Sequence, residues 1–303
     1  MASIKDLKKR IGTVKNTQQT TKAMKMVSAA KLRRAQEAIT SQRPYAKSIG
    51  ELIKLSLRLS NGESSSELLN PREVSEGEKK KAVLLLVTSD RGLCGGFNAI
   101  AIKTAQRWLI ENEKKYASVR MAFVGKKGFE YFRSRRSNND QYFEELGGKP
   151  NFQKAKKLTA ALVEKFQSGE ADEIFVIYNE FVNAATQLPR SELFLPLKGD
   201  AAAEAAEPLA TTGTLDPPYL AKPAMGEMLD LLLGKHFQVQ AFRILLESQA
   251  SEHGARMSAM ENATKNAGEM IKKLTLQYNK QRQAGITKEL LEIISGSESQ
   301  KAS

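Results

Sequence analysis

Apolar positions divide the chain into stretches of different period. Over residues 3–59, Ile4, Leu7, Ile11 and Val14 recur at alternating steps of three and four, the seam of one helix packed on another, and Pro44 is the only proline. The pattern predicts one long helix capped by Ser3, with Pro44 bending it or removing one backbone hydrogen bond without ending it. At about 1.5 Å per residue that helix reaches roughly 80 Å, too long for a compact domain. Beyond residue 223 there is no proline, and Met228, Leu232, Lys235, Val239, Phe242, Leu246, Gln249, His253, Arg256, Met260, Ala263, Ala267, Met270, Leu274 and Gln277 continue the same alternation. This predicts a second long helix, near 105 Å. Gly254, Gly268 and Gly285 each weaken it by about 1 kcal/mol relative to Ala, so they point to close approach of another surface.

Between the two helices the period changes. Mostly apolar runs at 82–87, 119–124 and 173–178 read as buried strands, alternating with helical stretches near 99–116, 127–136 and 153–167. Strand then helix, repeated, predicts a parallel sheet with helices on its faces. Residues 191–197 add an edge strand, antiparallel because Pro196 cannot complete a central ladder. The expected organisation is an N-terminal helix (1–60), a polar linker (61–81), an α/β domain (82–197), a mobile connection rich in Ala, Thr, Glu and Pro (198–223), a C-terminal helix (224–295) and a tail (296–303). Matching seams on the terminal helices imply that they pair with each other. The fold class is therefore α/β: a long antiparallel coiled coil of the N- and C-terminal helices with a central Rossmann-like α/β domain.

Composition narrows the function classes. Of 303 residues, 41% are hydrophobic, enough for a real core, and no apolar run approaches a membrane span. The N-terminus lacks a signal-peptide apolar core. One cysteine and two histidines far apart in sequence offer no disulfide and no zinc motif. The formal net charge is +13, and residues 1–58 hold most of it, with fourteen Lys or Arg against three acids. Such a surplus calls for an acidic partner. Nucleic acid fits it poorly, because the basic helix has no aromatic stacking residue before Tyr45 and no recognised reading motif.

Candidate chemistry is sparse. The turn Ser89-Asp-Arg-Gly-Leu-Cys-Gly-Gly-Phe-Asn98 lies between a strand and a helix, where backbone N–H groups can bind anions. Its spacing, however, matches neither nucleotide-binding glycine motif, so a tight turn that permits close helix packing is the competing explanation. No identifiable base or second cysteine accompanies Cys94, and no motif places a carboxylate or nucleophile beside His253. In the N-terminal helix the seam fades into Thr, Gln and Ser over residues 16–34, just as basic residues accumulate, and Gln249, His253 and Arg256 interrupt the other helix. Burying such groups against an apolar partner without hydrogen bonds is costly, so both stretches are expected to face a third surface.

The same residues carry a resemblance. Ile11-Gly-Thr-Val-Lys-Asn-Thr-Gln-Gln-Thr-Thr-Lys-Ala-Met-Lys-Met-Val-Ser-Ala-Ala-Lys-Leu32, the glycine turn, residues 251–267 and residues 278–290 resemble the γ subunit of F-type ATP synthases, in that family's order and over nearly the whole chain. The resemblance implies a non-catalytic rotor with no cofactor. Its paired helices would turn within a ring of α and β subunits, and its domain would stand beside the ε subunit and the membrane ring of c subunits. It implies no nucleic-acid partner and a peripheral place on the cytoplasmic side of a bacterial inner membrane. Proton flow through the c ring would thereby be coupled to ATP synthesis or hydrolysis. By the same resemblance, Lys22, Met24 and Lys25 lie beside an acidic β-subunit segment, Arg282 and Gln283 engage a β-subunit catch loop, and Glu252 and Arg256 help couple rotation to catalysis. Tyr219 and Lys222 match the segment facing the c ring, but Lys222 stands where the family commonly has an acid. The cysteine-bearing insertion of the chloroplast type is absent.

Overall fold

The computed structural model describes residues 3–59, 66–69, 78–136, 141–146, 148–184, 186–197 and 225–301. The expected connection at 198–223, and with it Tyr219 and Lys222, lies outside the described residues, as does most of the 61–81 linker. The elements are α1 (Ile4–Leu59), β1 (Lys81–Val87), α2 (Phe97–Asn112), β2 (Ser118–Val124), α3 (Lys126–Arg133), β3 (Gln141–Tyr142), α4 (Phe152–Gln167), β4 (Glu173–Phe181), β5 (Gln187–Leu195) and α5 (Met225–Lys301). They form two compact units, Met1–Ala29 with Arg256–Ser303, and Ala30–Ala255. The division falls inside both long helices.

In the first unit the opening turns of α1 pair with the later turns of α5. Ser3 caps α1, its Oγ accepting from Asp6 N at 3.2 Å. Within this unit the positions of α1 turned from solvent include Leu7, Ile11, Val14, Gln18, Thr21, Lys25 and Ser28, an alternation of four and three, with Met24 half-buried beside Lys25. Those of α5 include Met260, Ala263, Thr264, Ala267, Gly268, Ile271, Leu274, Tyr278, Gln281 and Gly285. Pairing is antiparallel. A Cβ on Gly285 would touch Ile4 at 3.6 Å, one on Gly268 would meet Gln18 Nε2 at 3.0 Å, and Lys25 Nζ reaches Glu261 at 2.6 Å.

Two expectations change here. Beyond Ala267 the α5 seam runs through Ile271 and Tyr278 rather than Met270 and Gln277, and Met270 is 52% exposed, while Ala263 and Thr264 are both half-buried. Both phases offer side chains with apolar carbon, so the sequence pattern is degenerate, and the bond from Thr264 Oγ1 to Thr21 Oγ1 at 2.8 Å belongs to one phase only. Second, part of the polar stretch of α1, namely Gln18, Thr21 and Ser28, turns into the helix seam, while Thr17, Gln19, Thr20 and Lys22 stay exposed. Gln18 Nε2 donates to Thr264 O at 3.4 Å, and Thr21 and Ser28 are buried in the seam. Hydrogen bonding within the pair removes much of the burial penalty that had seemed to forbid this arrangement.

The second unit is built on a five-stranded sheet in the order β3-β2-β1-β4-β5. Pairs β1–β2, β1–β4 and β2–β3 are parallel, and β5 is an antiparallel edge strand. That strand begins earlier than residue 191 and ends before Pro196, while Pro189 sits within it opposite Asn179. The two-residue strand β3 carries too short a pattern to be read from the sequence. On one face Leu84, Leu86, Met121 and Phe123 meet Ala101, Ala105 and Trp108 of α2 and Phe132 of α3. On the other, Val83, Leu85, Val176 and Tyr178 share a core with Leu158 and Leu162 of α4, Ile49 and Ile53 of α1, and Leu233, Phe237 and Ile244 of α5. Helix α1 continues through Pro44, which lies exposed beside Thr40, so water can satisfy the carbonyl freed there.

Candidate interaction surfaces and the glycine turn

The glycine turn is closed by its own side chains. Asn98 Oδ1 accepts from Ser89 N at 3.0 Å, Asn98 Nδ2 donates to Ser89 Oγ at 2.8 Å, and Ser89 Oγ donates to Arg91 O at 2.7 Å. Leu93 and Gly95 take positive φ, +62° and +57°, which folds Cys94 inward to 2% exposure. Cys94 and Phe97 then pack on Ala255 of α5. Asn179, at the carboxyl end of β4, donates through Nδ2 to Phe97 O at 2.9 Å and accepts through its backbone oxygen from Ser251 Oγ at 2.9 Å. One turn along α5, a Cβ on Gly254 would lie 3.3 Å from Ala184 Cα.

In open α/β sheets the ligand crevice lies at the carboxyl ends of the strands where the strand order reverses. Here that place is between β1 and β4, and the turn after β1 together with Asn179 holds α5 there. The glycine spacing thus forms a seat for a helix.

The residues assigned to partner contact fall into separate groups. Lys22 is exposed on α1, Met24 is half-buried, and Lys25 is engaged with Glu261 across the helix pair. That ion pair is solvent-exposed and worth about 0–1 kcal/mol, weak enough to exchange for another acid. Arg282 and Gln283 are adjacent and exposed on α5, one turn before the Thr287 hydroxyl that bonds Gln283 O at 3.0 Å. Glu252 is half-buried and Arg256 is buried. Past Gly285, where the seam with α1 ends, Ile286, Leu290, Leu291, Ile293 and Ile294 are all about half exposed or more. Sequence periodicity alone could not separate these residues from a continuing seam.

A polar cluster went unnoticed in the sequence. Arg243 of α5 donates from Nη2 to Glu192 Oε2 at 3.0 Å, from Nη1 to Glu247 Oε1 and Tyr178 OH at 3.2 Å each, and from Nε to Gln240 Oε1 at 2.8 Å. Tyr178 OH donates to Glu192 Oε1 at 2.9 Å. Burial pushes the Tyr178 phenol and the Glu247 carboxyl above their ordinary values, Arg243 opposing the shift at Glu247. Burial and the nearby Arg243 charge push His236 down to about 4. The signal was an Arg with Gln three residues before and Glu four residues after on one helix, a spacing too common to single out.

These features define the class: an α/β protein whose long terminal helices pair antiparallel. The ATP synthase family profile matches residues 3–299. An ATP synthase gamma chain from Geobacter metallireducens is 48% identical over 99% of this chain and 100% of its own length. Its counterpart from Geotalea uraniireducens is also 48% identical, over the same shares. Among solved structures, a chain of the Euglena gracilis mitochondrial ATP synthase has the same fold, with a TM-score of 0.65 and 22% identity over 99% of this chain and 95% of that one. The chain belongs to the ATP synthase gamma chain family.

Proposed function

We propose that this chain is the central rotor of an F-type ATP synthase, turning within a ring of α and β subunits and coupling proton flow through a c ring to ATP synthesis or hydrolysis. The observation that carries this reading is the match to ATP synthase gamma chains along their whole length. The chain performs no bond chemistry itself and holds no cofactor. It stands beside the ε subunit and the c ring, peripheral to a bacterial inner membrane on its cytoplasmic side. Among the described residues no helix is long and apolar enough to cross a membrane.

A shaft inside a ring must touch successive partners without adhering to any of them. Lys22, Met24 and Lys25 offer positive charge beside a flexible apolar side chain, and Lys25 can leave Glu261 for a β-subunit acid at little net change. Arg282 and Gln283 present donors free of the helix seam to a β-subunit loop; an arginine bonded to a carboxylate contributes about 1.5–3 kcal/mol, enough to act as a catch. Glu252 and Arg256 take part in the same coupling. Tyr219 and Lys222 face the c ring, where Lys222 favours an acidic or neutral loop over a basic one. The test is affinity purification of the chain from native membranes: it should bring down the ATPase subunits together. Steep salt-dependent binding to DNA or RNA without those subunits would overturn the reading.

A further inference from the structure

We propose that the Arg243–Glu192–Tyr178 cluster is a fastening that passes torque between the sheet and α5, with Arg243 as its positioning residue. The proposal rests on the rotor reading and adds a place in this chain where the load crosses.

Within the second unit, α5 lies on the sheet mainly through apolar contacts such as Leu233, Phe237 and Ile244. Close packing resists compression. Apolar attraction is non-directional, however, so a helix turned about its axis exchanges one apolar neighbour for another. Hydrogen bonds weaken steeply with distance and angle, and an arginine fork fixes orientation as well as distance.

Arg243 uses that fork on three elements. Glu192 of β5 binds the guanidinium with one carboxylate oxygen and the Tyr178 hydroxyl with the other, so β4 and β5 grip a single side chain of α5. Tyr178 is fully buried, and its strand lies beside β1 at the centre of the sheet. Gln240 and Glu247, three residues before and four after Arg243, hold the guanidinium from α5 itself.

Stability does not explain this arrangement. The Arg243 and Glu192 side chains remain 30% and 41% exposed, and an ion pair so open to water contributes only about 0–1 kcal/mol. Glu247 Oε2 is moreover buried without a hydrogen-bond partner among the described residues. A directional bond set retained under such conditions fits a demand on geometry.

The test uses the whole complex reconstituted in vesicles, with proton pumping measured per ATP hydrolysed for wild type, Arg243→Met, Arg243→Lys and Glu192→Gln. Arg243→Met should lower that ratio at least threefold while the isolated subunit melts within 3 °C of wild type. Arg243→Lys should keep more than half of the ratio, and Glu192→Gln should fall between. An Arg243→Met complex that pumps at the wild-type ratio overturns the proposal. So does a loss of pumping that follows a loss of subunit melting temperature across the three variants, because folding then accounts for it. Wild-type complex that hydrolyses ATP without pumping counts instead against the rotor reading.

Discussion

The three glycines of α5 that face other groups should respond differently to the same substitution. Replacing a helical glycine by alanine contributes about 1 kcal/mol where the added methyl has room. At Gly285 the methyl would make ordinary contact with Ile4 Cδ1 at 3.6 Å, so Gly285→Ala should stabilise by about 1 kcal/mol. At Gly268 it would stand 3.0 Å from Gln18 Nε2, the end of a flexible side chain whose bond to Thr264 O is already long at 3.4 Å. Gln18 can swing aside, leaving a net gain of about 0–1 kcal/mol. At Gly254 the neighbours are Ala184 Cα at 3.3 Å and Ala184 O at 3.4 Å, backbone that cannot rotate away. Overpacking of about 1–3 kcal/mol there cancels or exceeds the helix gain, and Gly254→Leu should lose about 3 kcal/mol. Urea unfolding followed by circular dichroism measures each change. Hydrogen exchange over residues 251–258 would show loosening only in the Gly254 variants. Equal stabilisation at Gly254 and Gly285, or a neutral Gly254→Leu, would refute the close-approach explanation.

Other substitutions probe other parts of the molecule. His236 is held neutral with a pKa near 4 against an ordinary 6.5, so the unfolded chain binds the extra proton between those values. That contribution is full above pH 6.5 and falls by about 2–3 kcal/mol as the pH drops to 4; His236→Phe should flatten this part of the stability profile, and parallel profiles would contradict it. Arg282→Ala with Gln283→Ala should lower ATPase turnover of the assembled complex while the isolated subunit keeps its melting temperature, since both side chains are exposed. Wild-type turnover in that complex would sink the catch assignment. Met24→Lys should add an attraction to an acidic β segment and reduce coupling more than assembly; unchanged proton pumping per ATP would count against the contact.

The sequence made the long helices legible because their seam period of about 3.5 persists over enough residues to average out exceptions, and the parallel strands legible because strands buried on both faces show as short apolar runs. Pro44 left α1 intact, as expected, and it falls on an exposed position. Legibility failed where polarity alone was used to infer direction. Gln18, Thr21 and Ser28 looked like a face turned outward, yet Gln18 Nε2 donates to Thr264 O and Thr264 Oγ1 donates to Thr21 Oγ1 across the seam. The Arg243 cluster joins residues 178, 192 and 243, and no local pattern encodes a meeting over such separations. The glycine turn was ambiguous for another reason: a ligand seat and a helix seat both require Gly near a helix N-terminus. Only the positions of Asn98, Asn179 and Ser251 distinguish the two.

Rotation itself is open to direct observation. Cys94 is buried, so a thiol introduced by Ile110→Cys, at a position 78% exposed on α2, gives one accessible point for a fluorescent or bead label. With the catalytic ring fixed to a surface, ATP should drive the label in one rotational direction, and withdrawing ATP should stop it. Sustained ATP hydrolysis by the labelled, assembled complex with a stationary label would contradict a rotor role for this chain.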